Sequence, residues 1–558
     1  MKIMVLVKQI PDINAIKFDQ KSKRIIRTGV KLLFNSYDKK AVEEAVRLSE
    51  KYGCETYAVS MGPSSAAEIL NDSMKMGINH AILLNDKNFA GSDTYITSRI
   101  LSSLIMHINP DMVLSGRSSL DGDTSQVPPE TAEMAGYNFV SNVSLIEING
   151  ESATVSRDED NGIRKIKVSL PAFFSVSEKI NRARQIDNSA KVEEITVYNS
   201  KFTTWKGSDS PTEVIGIIAM ESKRDNKFIN FEEFINILNE AGKPGQGEEY
   251  KILEASNSAE NFLGLAVDDP AISLEISSKI AELGNFNITV IGNIAPSLLK
   301  GLACHKYIYL ENSDNISFSE YAEEFIRKYK VKHVLAPSNL NGRDIASHIA
   351  ASLGLGLTAD CVDIKLNNGK LIQYKPSFGG GIIAVISSKT EPDIATVRKG
   401  MFKIKFKSKE YEINNIKLEK SKYFNDLENI PIGNKLHPLD TPVIFGIGTG
   451  VNKEDTQLII EIASKINGSV GATRRVVDMG RMPRQFQIGL TGVSISPELY
   501  IAIGLSGSDN HIVGIRYAKN VMAVNSNPEA EIFKHSDFGM VIDSHEFIEK
   551  LYKLLIMK

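Results

Sequence analysis

Short apolar runs alternate with amphipathic stretches along the first third of the chain. Ile3–Val7 is continuously apolar, which is typical of a strand buried on both faces. Asp38 stands where it can cap a helix, Gly53 stands where that helix would end, and Glu55–Ser60 predicts the next strand. Strands that alternate with helices in this way predict an α/β fold with a parallel sheet covered on both faces.

Two strand–loop–helix patterns occur twice, in the same order along the chain. Tyr57–Gly62 resembles Ile288–Gly292, each followed by a proline and a predicted helix, and Val113–Ser125 resembles Val334–Ser347. Duplication of one α/β unit explains both pairs. Chance similarity between two such patterns is the alternative, and the shared order weighs against it.

Two stretches of different composition interrupt the alternation. Glu221–Tyr250 is polar and ends in KPGQGEEY, which has the composition of a linker, and Asn414–Pro442 is charged and then rich in proline. Beyond the second stretch, Val443–Gly446 predicts a strand and Thr456–Ile466 predicts a helix. The chain is therefore expected to contain a third α/β unit.

Composition narrows the class of protein. Lysine and arginine number 65 against 68 aspartates and glutamates, a net charge of -3, so the basic surface expected of a nucleic-acid-binding protein is missing. Cys54, Cys304 and Cys361 show neither a disulfide framework nor metal-ligand spacing. No apolar run approaches the roughly 20 residues that cross a bilayer. A cytoplasmic protein without membrane insertion is therefore expected.

The first candidate site is the loop Gly116–Val127 (GRSSLDGDTSQV), which follows a predicted strand and precedes a helix. Ligands of parallel sheets bind at the carboxyl ends of the strands, and small residues, hydroxyls and helix amides suit a phosphate. Asp121 and Asp123 could instead accept hydrogen bonds from a ribose or an adenine amino group. A plain polar loop with two capping residues is the alternative. The second copy has Arg343–Asp344 in place of Asp123–Thr124, so only the first loop suits a nucleotide.

Further candidates lie near the C-terminus. Gly446–Gly450 (GIGTG) has two glycines of a dinucleotide turn without completing the GxGxxG pattern, and residues 471–492 place four arginines among glycines. His511 follows the loop SGSDN; a lone histidine is more often structural, although this position favours a function. The chain has no nucleophile elbow, P-loop or HExxH motif, so a bound cofactor is expected to supply the chemistry.

Taken together, these segments resemble the electron-transfer flavoproteins over nearly the whole chain. The similar segments are KIMVLVKQIPD, NSYDKKAVEEAVRL, VSMGPSSAAEIL, DGDTSQV, VLAPSNLNGRDIA, ATVRKGMF and the run from GATRR to DFGMVID. The resemblance implies a beta and an alpha subunit fused in one chain, with the beta-like half first. The resemblance implies two Rossmann-like (adenine nucleotide alpha hydrolase-like) domains, namely a beta-like nucleotide-binding domain at residues 1–242 and the alpha-like N-terminal domain at 255–435, with a linker at 243–254 between them. It further implies a C-terminal FAD-binding α/β domain at 436–558, which swivels between partners.

The resemblance also implies FAD contacts in the last domain. Arg474 is expected over the isoalloxazine ring, Thr491 at its N5 edge and His511 on its O2 side, with Asn525 and Asp543 at the adenosine end. A cation or donor near N1 and O2 stabilises the charge that reduction places there. The implied set is Thr449, Thr473, Arg474, Ile488, Gly489, Leu490, Thr491, Ser506, Gly507, Ser508, Asp509, Asn510, His511, Asn525 and Asp543.

A second nucleotide is implied for the beta-like half. It is AMP in many family members, whereas the electron-bifurcating members hold a second FAD that takes hydride from NADH. DGDTSQV resembles the bifurcating type, and Gly122 could admit a larger ligand, but both nucleotides stay open. The implied contacts are Leu6, Asn35, Ser36, Tyr37, Asp38, Met61, Gly116, Asp121, Gly122, Asp123, Thr124, Ser125, Gln126 and Val127.

Three departures from the family pattern bear on redox potential and partner choice. Thr449 replaces an arginine, Leu490 replaces a glutamine, and the expected partner-recognition loop at Asn181–Lys191 lacks a Leu-Pro motif. The first hypothesis is an electron carrier, with no catalytic residue or metal of its own, between flavin-dependent dehydrogenases and a quinone reductase or another redox protein. The second is a bifurcating enzyme that oxidises NADH. The third is a nucleotide-binding sensor without redox function.

Overall fold

The structure is a computed structural model of the 558-residue chain. It packs as two compact units, of which the first comprises Met1–Ile218, Tyr250–Phe378 and Ile382–Ile432 and the second Ala219–Glu249, Gly379–Gly381 and Gly433–Lys558. The three-domain division expected from the sequence stays a prediction, and most of the expected linker at 243–254 lies outside the described residues. The structure describes residues 1–12, 17–19, 24–26, 29–159, 162–219, 224–242, 250–378, 380–431, 439, 441–489 and 492–557.

The first half of the first unit is built on a largely parallel sheet. At its centre Lys2–Leu6 lies between Glu55–Met61 and Met112–Gly116, parallel to both. Most residues of these strands are buried, and the continuously apolar stretches Ile3–Leu6 and Met112–Leu114 are typical of strands covered on both faces. In sheet order, the strands are Thr196–Tyr198, His80–Leu84, Glu55–Met61, Lys2–Leu6, Met112–Gly116, Ala172–Val176, Asn138–Asn149, Ser152–Glu159, Gly162–Ser169 and Phe424–Pro431.

Four helices cover this sheet, and the first corrects one expectation from the sequence. Asn35, not Asp38, is the N-cap; Asp38 lies in the first turn, where its carboxylate accepts hydrogen bonds from the backbone nitrogens of Lys8 and Gly116. Gly53 ends the helix in a left-handed conformation, as predicted, with φ 69°. The helices are Ser36–Tyr52, Ala67–Lys75, Thr94–Ile108 and Val127–Ala135.

The second half of the first unit repeats the α/β pattern. One predicted helix is wrong, because after Ile288–Gly292 the chain forms only the short 3-10 turn Pro296–Leu298. In sheet order, the strands are Leu357–Cys361, Asp393–Val397, His333–Pro337, Asn261–Ala266, Asn287–Gly292, Lys306–Glu311 and Glu412–Lys417. The helices are Pro270–Leu283, Asn315–Tyr329 and Leu340–Leu353.

A smaller sheet and several two-stranded pairs complete this unit. The sheet consists, in order, of Thr212–Ala219, Ile382–Ser388, Lys370–Ser377 and Asp363–Asn367. The hairpin formed by Lys370–Ser377 and Ile382–Ser388 contacts the first candidate loop, Gly116–Val127. The two-stranded pairs are Gln9–Pro11 with Leu32–Phe34, Lys17–Asp19 with Arg24–Ile26, and Lys251–Ile252 with Phe406–Lys407.

The second unit has its own parallel sheet and core. A segment between the two halves of the first unit completes it, since Lys227–Phe228 adds an edge strand and Phe234 is fully buried beside Phe547. In sheet order, the strands are Lys227–Phe228, Phe538–Val541, Asn520–Asn525, Leu499–Ile503, Val443–Ile447 and Ser469–Ala472. The helices are Phe231–Ala241, Lys453–Lys465, Arg474–Asp478, Asp509–Ile515 and Ser544–Leu555. The α/β class with several parallel sheets is thus confirmed.

Candidate functional site

In the second unit, the predicted FAD contacts follow the carboxyl ends of neighbouring parallel strands. Val443–Ile447 pairs with Ser469–Ala472 on one side and with Leu499–Ile503 on the other. Chain order reverses at this point of the sheet, which is where open α/β sheets bind their ligands. Thr449, Thr473 and the loop that ends at His511 therefore lie at one edge of the sheet.

The glycines of the GIGTG turn are needed for close packing of two loops. A Cβ added at Gly448 would lie 2.1 Å from the Gly504 carbonyl oxygen, and one at Gly446 would lie 1.6 Å from the Tyr500 hydroxyl. The Gly448 nitrogen donates to the Ile503 oxygen at 2.9 Å. This turn therefore brings the loops after two strands into contact, whereas Thr449 itself is exposed.

Thr473 and Arg474 begin a helix directly after the strand Ser469–Ala472. Thr473 is the N-cap, and its nitrogen donates to the Ile447 oxygen at 3.1 Å. The Arg474 side chain is 64% exposed and lies 3.5 Å from the carboxylate of Asp478. An exposed pair of this kind holds its charges weakly, so the Arg474 guanidinium is accessible to an anionic ligand.

His511 is buried, and both of its ring nitrogens face protein atoms. Nδ1 lies 3.1 Å from the Ile488 carbonyl oxygen and Nε2 lies 2.8 Å from the Tyr500 hydroxyl. Since a carbonyl oxygen only accepts, Nδ1 carries the proton and Nε2 accepts from Tyr500. Burial lowers the pKa of His511 to about 4. The ring is therefore neutral at neutral pH, and its expected position on the O2 side of a flavin stays a prediction.

The remaining predicted FAD contacts differ in exposure and in hydrogen bonding. Asn525 spans two loops: its Nδ2 donates to the Leu505 oxygen at 2.8 Å and its Oδ1 accepts from the Asn527 nitrogen at 2.9 Å. Asp543 caps the last helix through the His545 nitrogen at 2.9 Å. Ser506, Ser508 and Asn510 are exposed, whereas Ile488 and Gly507 are buried, and Gly489 has φ 131°. Leu490 and Thr491 lie outside the described residues, as does the side chain of Asp509.

The donor set at this edge fits FAD. The half-buried hydroxyl of Thr473 and the exposed hydroxyl and amide groups of Ser506, Ser508 and Asn510 suit a pyrophosphate and a ribose, and Arg474 supplies a positive charge. Among the described residues, no group of histidines, cysteines, aspartates and glutamates could hold a metal ion. These residues would hold the flavin nucleotide, which supplies the redox chemistry that the side chains lack.

In the first unit, the second predicted site also lies where strand order reverses. Leu6, Met61 and Gly116 end three adjacent parallel strands, and Asn35 and Asp38 begin the helix that follows. The helix start approaches the strand end so closely that a Cβ at Gly116 would lie 2.5 Å from the Asp38 carboxylate. Ser36 is exposed and Tyr37 is buried in the same helical turn.

Two buried polar groups line this edge. Burial raises the pKa of Asp38 to about 7, against the opposing effect of its hydrogen bonds. Asn35 is fully buried and its Nδ2 donates to the Ser118 oxygen at 2.9 Å, whereas its Oδ1 has no hydrogen-bond partner among the described residues. A buried orphan acceptor of this kind suits a ligand that donates a hydrogen bond, such as a ribose hydroxyl or an adenine amino group.

The loop after Gly116 carries two carboxylates with different partners. Lys8 Nζ lies 2.9 Å from Asp121, and the Ser118 hydroxyl donates to Asp123 at 3.0 Å. Burial alone would raise the pKa of Asp121, but the Lys8 ammonium holds it below its usual value. A Cβ added at Gly122 would come no closer than 3.8 Å to another residue, so the chain itself leaves room for a side chain there.

The second half of the unit holds this loop in place. Lys375 Nζ donates to the Gly122 oxygen at 2.7 Å, and the Phe378 nitrogen donates to the Asp121 oxygen at 2.9 Å. At the end of the loop, Gln126 Nε2 donates to the Leu357 oxygen at 3.1 Å. Thr124 and Ser125 lie between these anchors, half-buried, and Val127 starts the next helix.

Sequence reasoning missed four residues that shape the two sites. Lys8 pairs with Asp121, Arg117 donates to the Tyr37 hydroxyl at 3.0 Å, Tyr500 contacts His511, and Lys375 contacts Gly122. Lys8 stands just after the first predicted strand and so could have been considered from its position. Lys375 lies 253 positions from Gly122 in the sequence, and no local sequence pattern predicts this contact.

These loops define the class of protein, namely a parallel-sheet protein with a candidate nucleotide site at a sheet edge in each unit. Comparison with known proteins agrees: the electron transfer flavoprotein domain matches residues 23–200 and 308–421, and the electron transfer flavoprotein FAD-binding domain matches residues 439–516. The chain belongs to the electron transfer flavoprotein family, with a beta-like half followed by an alpha-like half. Its cofactor is FAD and its role is electron transfer.

Individual relatives belong to the same family. The electron transfer flavoprotein subunit beta of Thermoanaerobacterium thermosaccharolyticum is 40% identical over 184 residues, which is 33% of this chain and 71% of the relative. The subunit alpha of the same organism is 31% identical over 302 residues, 50% of this chain and 92% of the relative. Acetobacterium woodii lactate dehydrogenase (NAD(+),ferredoxin) subunit LctC is 32% identical over 246 residues, 43% of this chain and 59% of the relative. No helix among the described residues is both long enough and apolar enough to span a membrane.

Proposed function

We propose that this chain carries electrons from flavin-dependent dehydrogenases to a downstream acceptor such as a membrane quinone reductase. One observation carries the proposal: two parallel strands flank Val443–Ile447 where strand order reverses, and Thr473 and Arg474 follow one of them, whereas the loop Ser506–His511 follows the other. Bound FAD would supply one- and two-electron chemistry at this edge. The residues of the chain would bind it and set the charge around it.

Arg474 is the residue that we expect to tune the potential. A hydrogen bond to a charged group contributes about 1.5–3 kcal/mol, and a one-electron couple shifts by about 59 mV for each 1.4 kcal/mol. Arg474→Ala should therefore lower the first reduction potential by about 60–130 mV. Arg475→Ala, in the exposed neighbouring position, is the matched control and should leave the potential in place. A redox titration measures the first reduction potential of both variants. Equal potentials would contradict the placement of Arg474 beside the flavin.

We further propose that the edge formed by Asn35, Asp38 and the loop Gly116–Val127 binds a second adenine nucleotide. The buried, unpartnered Oδ1 of Asn35 supports a ligand that donates a hydrogen bond there. Flavin content identifies the nucleotide, because one FAD per chain together with extracted AMP indicates the carrier type. Two FAD per chain would indicate a bifurcating type. One FAD per chain with no other nucleotide would contradict this second proposal.

The second candidate function is electron bifurcation with NADH as donor, in which the second nucleotide is FAD. The open space at Gly122 favours it, because FAD is a larger ligand than AMP. A side chain there would meet nothing within 3.7 Å, so the chain does not need glycine for its own packing. The LctC relative is named for NAD(+) and ferredoxin, which supports the same direction. If NADH alone bleaches the flavin absorbance of the purified chain, the bifurcating function holds. If NADH leaves it unchanged, the carrier function holds.

A further inference from the structure

Lys375 is a buried cation that lies in the second half of the first unit and contacts a loop of the first half. It belongs to the strand Lys370–Ser377, and its Nζ donates to the Gly122 oxygen at 2.7 Å and to the Pro376 oxygen at 3.0 Å. The side chain is 5% exposed, which is unusual for lysine. A buried ammonium requires polar or charged partners, and the loop Gly116–Val127 provides one of them.

The loop that Lys375 contacts has a backbone that needs external support. Asp123 and Ser125 both have left-handed backbones, with φ 45° and 55°. Such conformations are unfavourable for residues other than glycine, so they persist only where the surroundings hold them. Lys8 holds the Asp121 side chain, and Asn35 and Gln126 hold the two ends of the loop. At the backbone of Asp121 and Gly122, the described anchors from outside the loop are Lys375 on the Gly122 oxygen and the Phe378 nitrogen on the Asp121 oxygen. Both anchors come from one hairpin, which contributes no predicted nucleotide contact.

Charge gives Lys375 a second effect on the loop. Asp121 and Asp123 would repel an anionic nucleotide unless cations balanced them. Lys8 balances Asp121 at 2.9 Å, and Lys375 interacts electrostatically with Asp123. The other charges around Lys375 belong to Asp360 and to Arg398, which pair with each other. Because interactions between charges are strong in a buried setting, removing Lys375 should weaken nucleotide binding through both the shape and the charge of the loop.

We propose that Lys375 is a positioning residue for the second nucleotide: from the alpha-like half, it fixes the shape of the loop Gly116–Val127 and offsets its negative charge. The inference rests on the proposed second nucleotide site. It assigns the alpha-like half a role in a site whose predicted ligand contacts all lie in the beta-like half. The FAD of the second unit should not depend on Lys375.

The test measures the nucleotides that the purified full chain retains, and its affinity for added AMP by calorimetry. Lys375→Met should lower the amount of second nucleotide per chain and raise the dissociation constant of AMP at least tenfold. If the second nucleotide is FAD, flavin content should fall from about two per chain to about one. Lys365→Met is the matched control, because Lys365 lies on the neighbouring strand and is 62% exposed. It should bind nucleotide as the unsubstituted chain does.

Three further variants separate positioning from general damage to the fold. Lys375→Arg keeps the charge and should keep most of the affinity, whereas Lys375→Gln keeps only a donor and should lose more. Asp123→Asn added to Lys375→Met should recover part of the affinity, since it removes a charge that Lys375 balances. If Lys375→Met does not fold, the test rests on whether Lys375→Arg binds the nucleotide more tightly than Lys375→Gln does. Equal affinity in the Arg, Gln and unsubstituted chains would overturn the inference.

Failure of the inference and failure of the second nucleotide site give different results. If the unsubstituted chain holds one FAD, releases no other nucleotide and does not bind AMP, then the site itself is absent and the inference fails with it. If the unsubstituted chain holds the nucleotide and Lys375→Met holds it as tightly, then only the role of Lys375 is wrong.

Discussion

The loop after the strand Met112–Gly116 and the segment after His333–Pro337 have similar sequences but different structures. In the first, the helix begins only at Val127, and an open loop precedes it. In the second, the helix begins at Leu340, two residues after the strand, with Asn339 as its cap. The two similar segments therefore differ in structure: the first forms an open loop, which by our proposal binds a nucleotide, whereas the corresponding residues of the second form a helix.

Prolines account for part of this difference. Pro128 and Pro129 occupy the first turn of the helix in the first copy. Proline lacks a backbone donor and disfavours helical conformation in the residue before it, so this helix cannot extend back into the loop. The second copy has no proline between Ser338 and Leu353, and its helix starts at once. Equivalent positions in the two similar segments therefore differ in structure, and the prolines that stop the helix account for the difference better than the sequence similarity does.

The residues Arg343–Asp344 show what the second copy gained. Asp344 accepts hydrogen bonds from Ser141 at 2.6 Å and from Arg157 at 2.9 Å, and all three side chains are nearly buried. These contacts join the two halves of the first unit. The corresponding Thr124 is half-buried on its loop, and Asp123, which corresponds to Arg343, is exposed beside it. The corresponding pairs of residues therefore serve packing in one copy and, by our proposal, ligand binding in the other.

The largest effect is expected from removing the buried acid of the second copy. Asp344→Ala leaves Arg157 buried without its closest partner and should lower the free energy of unfolding by about 4 kcal/mol. Asp123→Ala in the first copy should cost less than about 0.5 kcal/mol, because its side chain is exposed. Urea unfolding followed by fluorescence reports this unit, since Trp205, the one tryptophan of the sequence, lies in it. Equal losses of unfolding free energy in the two variants would contradict the assignment of Asp344 to packing and of Asp123 to ligand binding.

A second pair of variants tests the same division at glycine. A Cβ at Gly342 would lie 2.3 Å from the Pro337 oxygen, so Gly342→Ala should destabilise the first unit by about 3 kcal/mol. The strand and the capped helix meet so closely there that neither can move without losing contacts. Tryptophan fluorescence during urea unfolding measures the change. A loss below about 0.5 kcal/mol would show that this turn relaxes easily and that the second copy is less tightly packed than described.

The helices that follow the two loops are joined by a histidine, which makes this contact sensitive to pH. His348 lies 2.8 Å from Glu133 and 3.1 Å from Glu323, and these carboxylates raise its pKa to about 9 against the effect of burial. Protonated His348 stabilises the fold fully below its unfolded pKa of about 6.5, and this contribution disappears as pH rises through 9.

Raising the pH from 6.5 to above 9 should therefore cost the first unit about 2 kcal/mol. The measurement is the free energy of unfolding across this range for the unsubstituted chain and for His348→Gln. The variant should be less stable at pH 6.5 and should show a flatter pH profile. Parallel profiles for the two proteins would mean that His348 is neutral in the folded chain.

Much of this fold follows from sequence patterns. The strands Ile3–Val7 and Glu55–Ser60 were predicted within a residue or two, the first because a continuous apolar run marks a strand covered on both faces and the second from its place in the alternation of strands and helices. The helix expected after Pro296 was wrong, since only a short 3-10 turn forms there. The contact of Lys375 with Gly122 was out of reach, because it depends on how two halves of the chain pack. The sequence therefore predicted which loops form the candidate sites, but it did not predict the distant residues that hold those loops in place.

The smallest effect on stability is expected at Gly122, and it sharpens the comparison with Gly342. A Cβ at Gly122 meets nothing closer than 3.8 Å, and no positive φ requires glycine there, so Gly122→Ala should change the free energy of unfolding by less than about 0.5 kcal/mol. Nucleotide retention is the informative readout: a ligand that occupies this space should be lost or bind less tightly. Undiminished retention together with unchanged stability would show that the nucleotide lies elsewhere along the loop, and that glycine serves no ligand at this position.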